Sequence, residues 1–126
     1  MILRLDHVQL AIPAGAEEAC RRFYVGVLGM DELEKPPALK ARGGLWLRGG
    51  DAVVHLGVEE PFRPALKAHP GFVVADLDAL AAILMDAGHT PLWDEALPGI
   101  RRFYVADPCG NRLEFLSAEI PSPGSS

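Results

Sequence analysis

The feature that most constrains this chain is a pattern that occurs twice. HVQLAIP at 7–13 returns as HPGFVVAD at 69–76, and LWLRGGDAVVHLGV at 45–58 returns as RFYVADPCGNRLEFLS at 102–117. In this superposition His7 falls on His69 and His55 falls on Glu114. A repeat of about 60 residues exceeds the usual solenoid periods. Two copies of one unit, packed side by side, are the simpler reading.

Each copy reads as strand, helix, then three short strands. Ile2 to Ile12 alternates, with Leu5, His7, Gln9 and Ala11 on one side and Asp6, Val8, Leu10 and Ile12 on the other, which predicts a half-buried strand. Ala16, Ala19, Cys20, Phe23 and Val27 then recur at helical spacing, with Gly29 as the stop. Strands are expected near Asp31–Glu34, Gly44–Arg48 and Ala52–Val58, the last two joined by the turn Gly49–Gly50–Asp51. Residues 59–68 carry two prolines and read as a linker. The second copy places a strand at His69–Ala75 and a helix capped by Asp76, with Leu77, Leu80, Ala81 and Leu84 as its apolar stripe and Gly88 as its end. Strands near Pro91–Trp93, Ile100–Val105 and Arg112–Leu116 complete it, the last two joined by the turn ADPCGN. The expected organisation is one α+β domain, 1–118, made of βαβββ modules 1–58 and 69–118, followed by a flexible tail, 119–126.

Lys and Arg number 12 against 17 Asp and Glu, a net charge of −5. Phosphate contacts need a basic footprint, so nucleic acid is excluded as the expected partner in favour of a small molecule. No stretch reads as a signal peptide or membrane span. Cys20 and Cys109 lack metal-ligand spacing, which predicts free thiols and a cytoplasmic location.

Strand parity singles out four residues. His7 stands across from Val8 and Leu10, His55 across from Val54 and Leu56, His69 across from Phe72 and Val74, and Glu114 across from Leu113 and Phe115. If helices cover the apolar faces, the other faces line a common interior holding three imidazoles and one carboxylate. Those donors suit zinc, nickel, manganese or iron. A lone strand histidine is more often a satisfied surface or core residue. Three at repeat-related positions, with a glutamate, favour one divalent metal held by His7, His55, His69 and Glu114. His89 follows Gly88 in a turn and receives no role.

By the same parity Gln9, Val53, Val73, Arg102, Tyr104 and Arg112 face that interior. Arg102 and Arg112 could hold an anionic substrate group, because guanidinium matches carboxylate and phosphate geometry; the alternative is pairing with surface acids. Trp46 and Trp93 are candidates for capping the pocket, with ordinary packing as their alternative.

The stretches LDHVQLAIP, FYVGVLGM, HPGFVVADLDAL and RFYVADPCGNRLEFL span nearly the whole chain, and together they resemble the vicinal oxygen chelate superfamily. That superfamily includes glyoxalase I, fosfomycin-resistance thiol transferases, bleomycin-resistance proteins, methylmalonyl-CoA epimerase and extradiol dioxygenases. The resemblance implies paired βαβββ modules forming a U-shaped, mostly antiparallel sheet around a central cavity with a divalent metal. The family's metal positions map onto His7, His69 and Glu114, and a fourth maps onto His55. Glyoxalase I generally carries glutamate at that fourth position, a departure, and in the thiol transferases it is not a ligand. Tyr104 matches a tyrosine facing the phosphonate in those enzymes.

The function expected first is a metal-dependent isomerase or lyase of the glyoxalase type acting on vicinal oxygens, with Glu114 as catalytic base. Gln9, Trp46, Arg102, Tyr104 and Arg112 are its expected substrate-binding residues. A fosfomycin-type thiol transferase and a metal-free, bleomycin-type drug-binding protein are the alternatives. Small subunits with exposed strand edges also favour a homodimer.

Overall fold

The computed structural model describes residues 1–118; the expected tail at 119–126 lies outside the described residues. Each module builds its own four-stranded mixed sheet. In the first, β1 (Val8–Ile12), β2 (Asp31–Leu33), β3 (Leu45–Gly49) and β4 (Ala52–Val58) lie in the order β1-β4-β3-β2. In the second, β5 (Gly71–Val74), β6 (Leu92–Trp93), β7 (Arg102–Ala106) and β8 (Arg112–Ser117) repeat it as β5-β8-β7-β6. The first strand of each module pairs parallel with its last, and the other neighbours pair antiparallel. The α+β reading from the repeat is therefore correct. The sheets are two separate hydrogen-bonded units, and neither closes on itself.

Hydrophobic alternation places the core. Val54 and Leu56 of β4 are buried while His55 between them is only partly so. Leu113 and Phe115 face the same interior as Phe103, and Leu10, Ile12 and Leu47 join them from the first sheet in one continuous cluster. Strand β8 departs from simple alternation: Leu113 to Ser117 are all buried, because β8 lies between β5 and β7 and is covered on both faces. The helix α1 (Glu17–Arg21) and its π-helical continuation Arg22–Val27 add Cys20, Phe23 and Tyr24 to the same cluster. The helix expected over this stretch is thus α-helical only in its first half; Leu28 N–H bonds the Phe23 carbonyl, the wider π spacing.

The second long helix, α3 (Leu77–Asp86; α2 is Pro37–Lys40), matches its sequence signals closely. Asp76 accepts a 3.0 Å bond from Ala79 N–H, and Leu77, Ala81 and Leu84 form the buried stripe. Two expectations need correction. The first strand begins at Val8, not Ile2, because β1 lies against β4 and Val8 already pairs with Val54, two residues from the start of β4 at Ala52. Ile2, Leu3 and Leu5 are consequently exposed despite their alternation. The one-turn helix α2 was not expected; its Pro37 occupies the first helical position, where the missing N–H costs nothing.

A buried polar network joins the modules. Tyr24 donates its hydroxyl hydrogen to Asp107 at 2.7 Å, and Asp107 accepts from the backbone N–H groups of Cys109 and Asn111. Asn111, with no exposure, donates to the Ala11 carbonyl at 2.8 Å and accepts from Ala65 N–H at 2.9 Å. The Ala65 carbonyl in turn accepts from Arg112 N–H at 2.9 Å. The linker is therefore bonded into the entry of β8.

Candidate metal and substrate site

The second module assembles most of the polar site. Register places Tyr104 of β7 directly opposite Glu114 of β8, and Arg102 diagonal to it on the same face. His69 precedes β5 instead of lying within it, and still reaches Glu114: Nε2 lies 2.8 Å from Oε1. Its other nitrogen, Nδ1, lies 2.7 Å from the Lys67 carbonyl. A carbonyl can only accept, so Nδ1 carries the hydrogen and Nε2 is the nitrogen presented to Glu114. Metal-binding histidines are commonly oriented by such a bond.

Glu114 is 8 % exposed, and both its oxygens are engaged. Oε2 accepts from Arg102 Nη1 at 3.2 Å, while Arg102 Nη2 donates to Asp94 at 3.1 Å. Arg102 thus bridges two carboxylates, and its Nε is buried with no hydrogen-bond partner among the described residues. The Ala96 N–H first, then the Arg102 charge and hydrogen bonds from the Tyr104 and Arg102 side chains, hold the Asp94 carboxyl below the usual carboxylate range. Arg112 lies over the Tyr104 ring, 3.7 Å from the centroid, and no carboxylate pairs with it among the described residues. His69 meets the same tyrosine edge-on at 5.3 Å.

Sequence reasoning missed Asp94. The β6–β7 register carries one step beyond Trp93–Phe103, where Asp94 N–H bonds the Arg102 carbonyl at 3.2 Å. No sequence signal marks it, because the sequence alone does not give that register.

The first module holds a different cluster. His55 stacks between two rings, Trp46 at 4.2 Å and His7 at 4.0 Å between centroids. Trp46 and His55 are direct cross-strand partners, and Gln9 pairs with His55 from the other side. His7 lies just before β1 and is exposed; its Nδ1 sits 2.9 Å from Asp6. Burial, and then the neighbouring His7, push the His55 imidazole below its ordinary value. Gln9 and His69 both line a cleft of about 320 Å³ between β1 and the linker.

The four expected ligands therefore form two pairs, His7 with His55 and His69 with Glu114. No three His, Cys, Asp or Glu residues converge as a metal cluster among the described residues. Trp93 is not beside the site: it packs edge-on to the buried Phe103 on the opposite face, under Arg101. Val73 is 55 % exposed. His89 packs edge-on against Phe23, with ring centroids 4.8 Å apart. A larger, mainly apolar cavity of about 700 Å³, bordered by Met30, Phe72, Leu80 and Phe115, takes in Val73 but none of the expected metal ligands or polar substrate contacts.

The sequence profile of the Glyoxalase/Bleomycin resistance protein/Dioxygenase superfamily matches residues 4–115. The chain belongs to this superfamily. Among solved structures, this superfamily member is similar to a glyoxalase family protein from Bacillus anthracis, at 46 % identity over 93 % of this chain and 96 % of that one, with a TM-score of 0.90. The fosfomycin resistance protein FosX from Listeria monocytogenes shares the fold, with a TM-score of 0.77 at 14 % identity over 93 % of each chain, in a mutant form complexed with Mn(II) and 1S,2S-dihydroxypropylphosphonic acid. A glyoxalase family protein from Enterococcus faecalis aligns with a TM-score of 0.71 at 23 % identity, over 90 % of this chain and 96 % of that one. No curated protein sequence matches the chain. No helix among the described residues is long and apolar enough to cross a membrane.

Proposed function

We propose that this superfamily member is a divalent-metal-dependent enzyme of the glyoxalase type, acting on a small anionic substrate with two adjacent oxygens. The observation that carries the reading is the His69–Glu114 pair. Its imidazole is oriented through Nδ1, its Nε2 and Oε1 are 2.8 Å apart, and two arginines share its sheet face. The donor types fit zinc, nickel, manganese or iron. Two donors from one chain are too few for a closed site. We assign the third to His7 of a second copy in a homodimer, with His55 beside it as a weaker fourth. The exposure of His7 leaves it available for that arrangement.

When bound, such an ion would polarise a substrate carbonyl and stabilise the oxyanion that develops. The remaining work falls to the chain's own residues. Arg112, which pairs with no carboxylate among the described residues, holds the anionic group, with the Arg102 guanidinium beside it on the same sheet face. Tyr104 keeps Arg112 in place through its ring. Gln9 and Trp46 border the substrate from the first module. Glu114 takes the proton from the carbon next to the carbonyl at its Oε1, the oxygen that His69 otherwise occupies. The same structure has an arrangement that favours the metal-free binding reading: Arg102 Nη1 and His69 Nε2 already lie against the two Glu114 oxygens, at 3.2 and 2.8 Å.

Metal analysis of protein purified without a histidine tag separates the two readings. Wild type should carry about one divalent ion per site, His69→Ala and Glu114→Gln should lose it, and His55→Ala should keep part of it. Equal metal in wild type and His69→Ala would reject the metal enzyme. With an active substrate found, solvent deuterium should enter the product; a product without it, formed only with a thiol, would indicate transferase chemistry.

A further inference from the structure

Cys20 and Cys109 are 89 positions apart in sequence, one on α1 of the first module and the other in the DPCG turn of the second, yet their sulfurs are 3.7 Å apart. Both are free thiols. Their surroundings are held firmly: the Cys109 N–H bonds Asp107 at 2.8 Å, and Asp107 accepts from Tyr24, four residues beyond Cys20. A disulfide has an S–S length of about 2.05 Å, so the sulfurs need approach by under about 2 Å, within reach of side-chain rotation. Cys20 is fully buried, whereas Cys109 is partly exposed, so an oxidant reaches Cys109 first.

We propose that Cys20 and Cys109 are a redox modification site, closed to an intramolecular disulfide by hydroperoxides, which covalently joins the two modules. In the first step the Cys109 thiolate attacks the peroxide O–O bond. It takes one oxygen as a sulfenic acid, and the other leaves as an alcohol, or as water from hydrogen peroxide. In the second, the Cys20 sulfur attacks the sulfenic sulfur, the S–O bond breaks, and water leaves with the Cys20 proton. Overall the two thiols lose two electrons and two protons, and the peroxide is reduced by the same two electrons. A dithiol reverses the bridge by exchange.

The groups around the pair set its rate. Burial pushes the Cys109 thiol up, with Asp107 adding to the effect while its bond to Cys20 opposes it. Burial pushes Cys20 up further, with Cys109, Asp107 and Glu17 facing it as additional causes and Tyr24 beside it on the same helix. This pair is therefore slow at neutral pH and faster in alkali, unlike an acidified sensor thiol.

The test treats the wild-type chain with hydrogen peroxide and maps its peptides without reduction. The expected result is one fragment joining the Cys20 and Cys109 peptides within a single chain, lighter by two hydrogens and restored by dithiothreitol. The oxidised chain should unfold several degrees higher, since the bridge closes a long loop. The oxidation rate should rise several-fold between pH 7 and 8. Cys109→Ser should leave Cys20 reduced under the same dose. Oxygen added to Cys109 with Cys20 still a thiol, a bridge between two chains, or a rate flat across that pH range would overturn the proposal. Peptide mapping of wild type decides it even if a substituted chain folds poorly.

Discussion

Arg102 bridges Glu114 and Asp94 from a mostly buried position, so the charge balance of the site depends on one guanidinium. Removing it leaves the buried Glu114 carboxylate beside His69 alone. Arg102→Ala should therefore lower stability by about 2–4 kcal/mol in urea unfolding, and the Arg102→Ala/Glu114→Gln pair should recover part of that loss. Strictly additive effects would show that the bridge is not energetically coupled. At this scale the sequence was informative where parity applies: His55, Tyr104 and Glu114 all lie on the faces expected. It was silent on Asp94 because the short β6 ends before that residue, and on the Cys20–Cys109 pair because nothing local signals a contact across 89 positions.

Among the elements, α1 and β3 are tied by one carboxylate. Glu17 Oε2 accepts from Gly44 N–H at 2.9 Å, just ahead of β3. Gly44 has φ +84, and a Cβ there would collide with the Leu56 carbonyl, so this approach requires glycine. The bond holds the Glu17 carboxyl below its ordinary value of 4.5. A carboxyl with a lower pKa in the folded state adds stability above its unfolded pKa and loses it as the pH falls through the folded one. The unfolding midpoint of Glu17→Gln should accordingly fall less between about pH 5 and 3 than that of wild type. The elements most legible in the sequence are those with local signals, such as α3 with its Asp76 cap. Strand β1 was overextended because alternation alone cannot reveal how far its neighbour β4 runs.

At the scale of the whole molecule, the repeat made the two-module plan readable from the sequence. What it could not supply is the placement of one module's donors against the other's, which depends on packing between distant segments. The two donor pairs suggest a direct test of assembly. His7→Ala and Glu114→Gln chains are each expected to lose metal alone. Mixed by unfolding and refolding together, they should form some heterodimers with one intact site, regaining up to about a quarter of wild-type metal content. No recovery on mixing would place all the donors of each site within one chain.

The linker has a further consequence, in its response to proteases. Lys67–Ala68 lies on the surface and matches trypsin's preference, but the chain around it is fastened: Ala65 is bonded through both its N–H and carbonyl, and His69 through both ring nitrogens. A protease must draw several residues into an extended strand before it can cut, which these anchors resist. Native protein should therefore survive trypsin at this bond, while Asn111→Ala, which frees Ala65 N–H, should be cut there at least several-fold faster. Segments 1–67 and 68–126 would then remain associated through the shared core, so a nick would appear on a denaturing gel before any loss of assembly in solution.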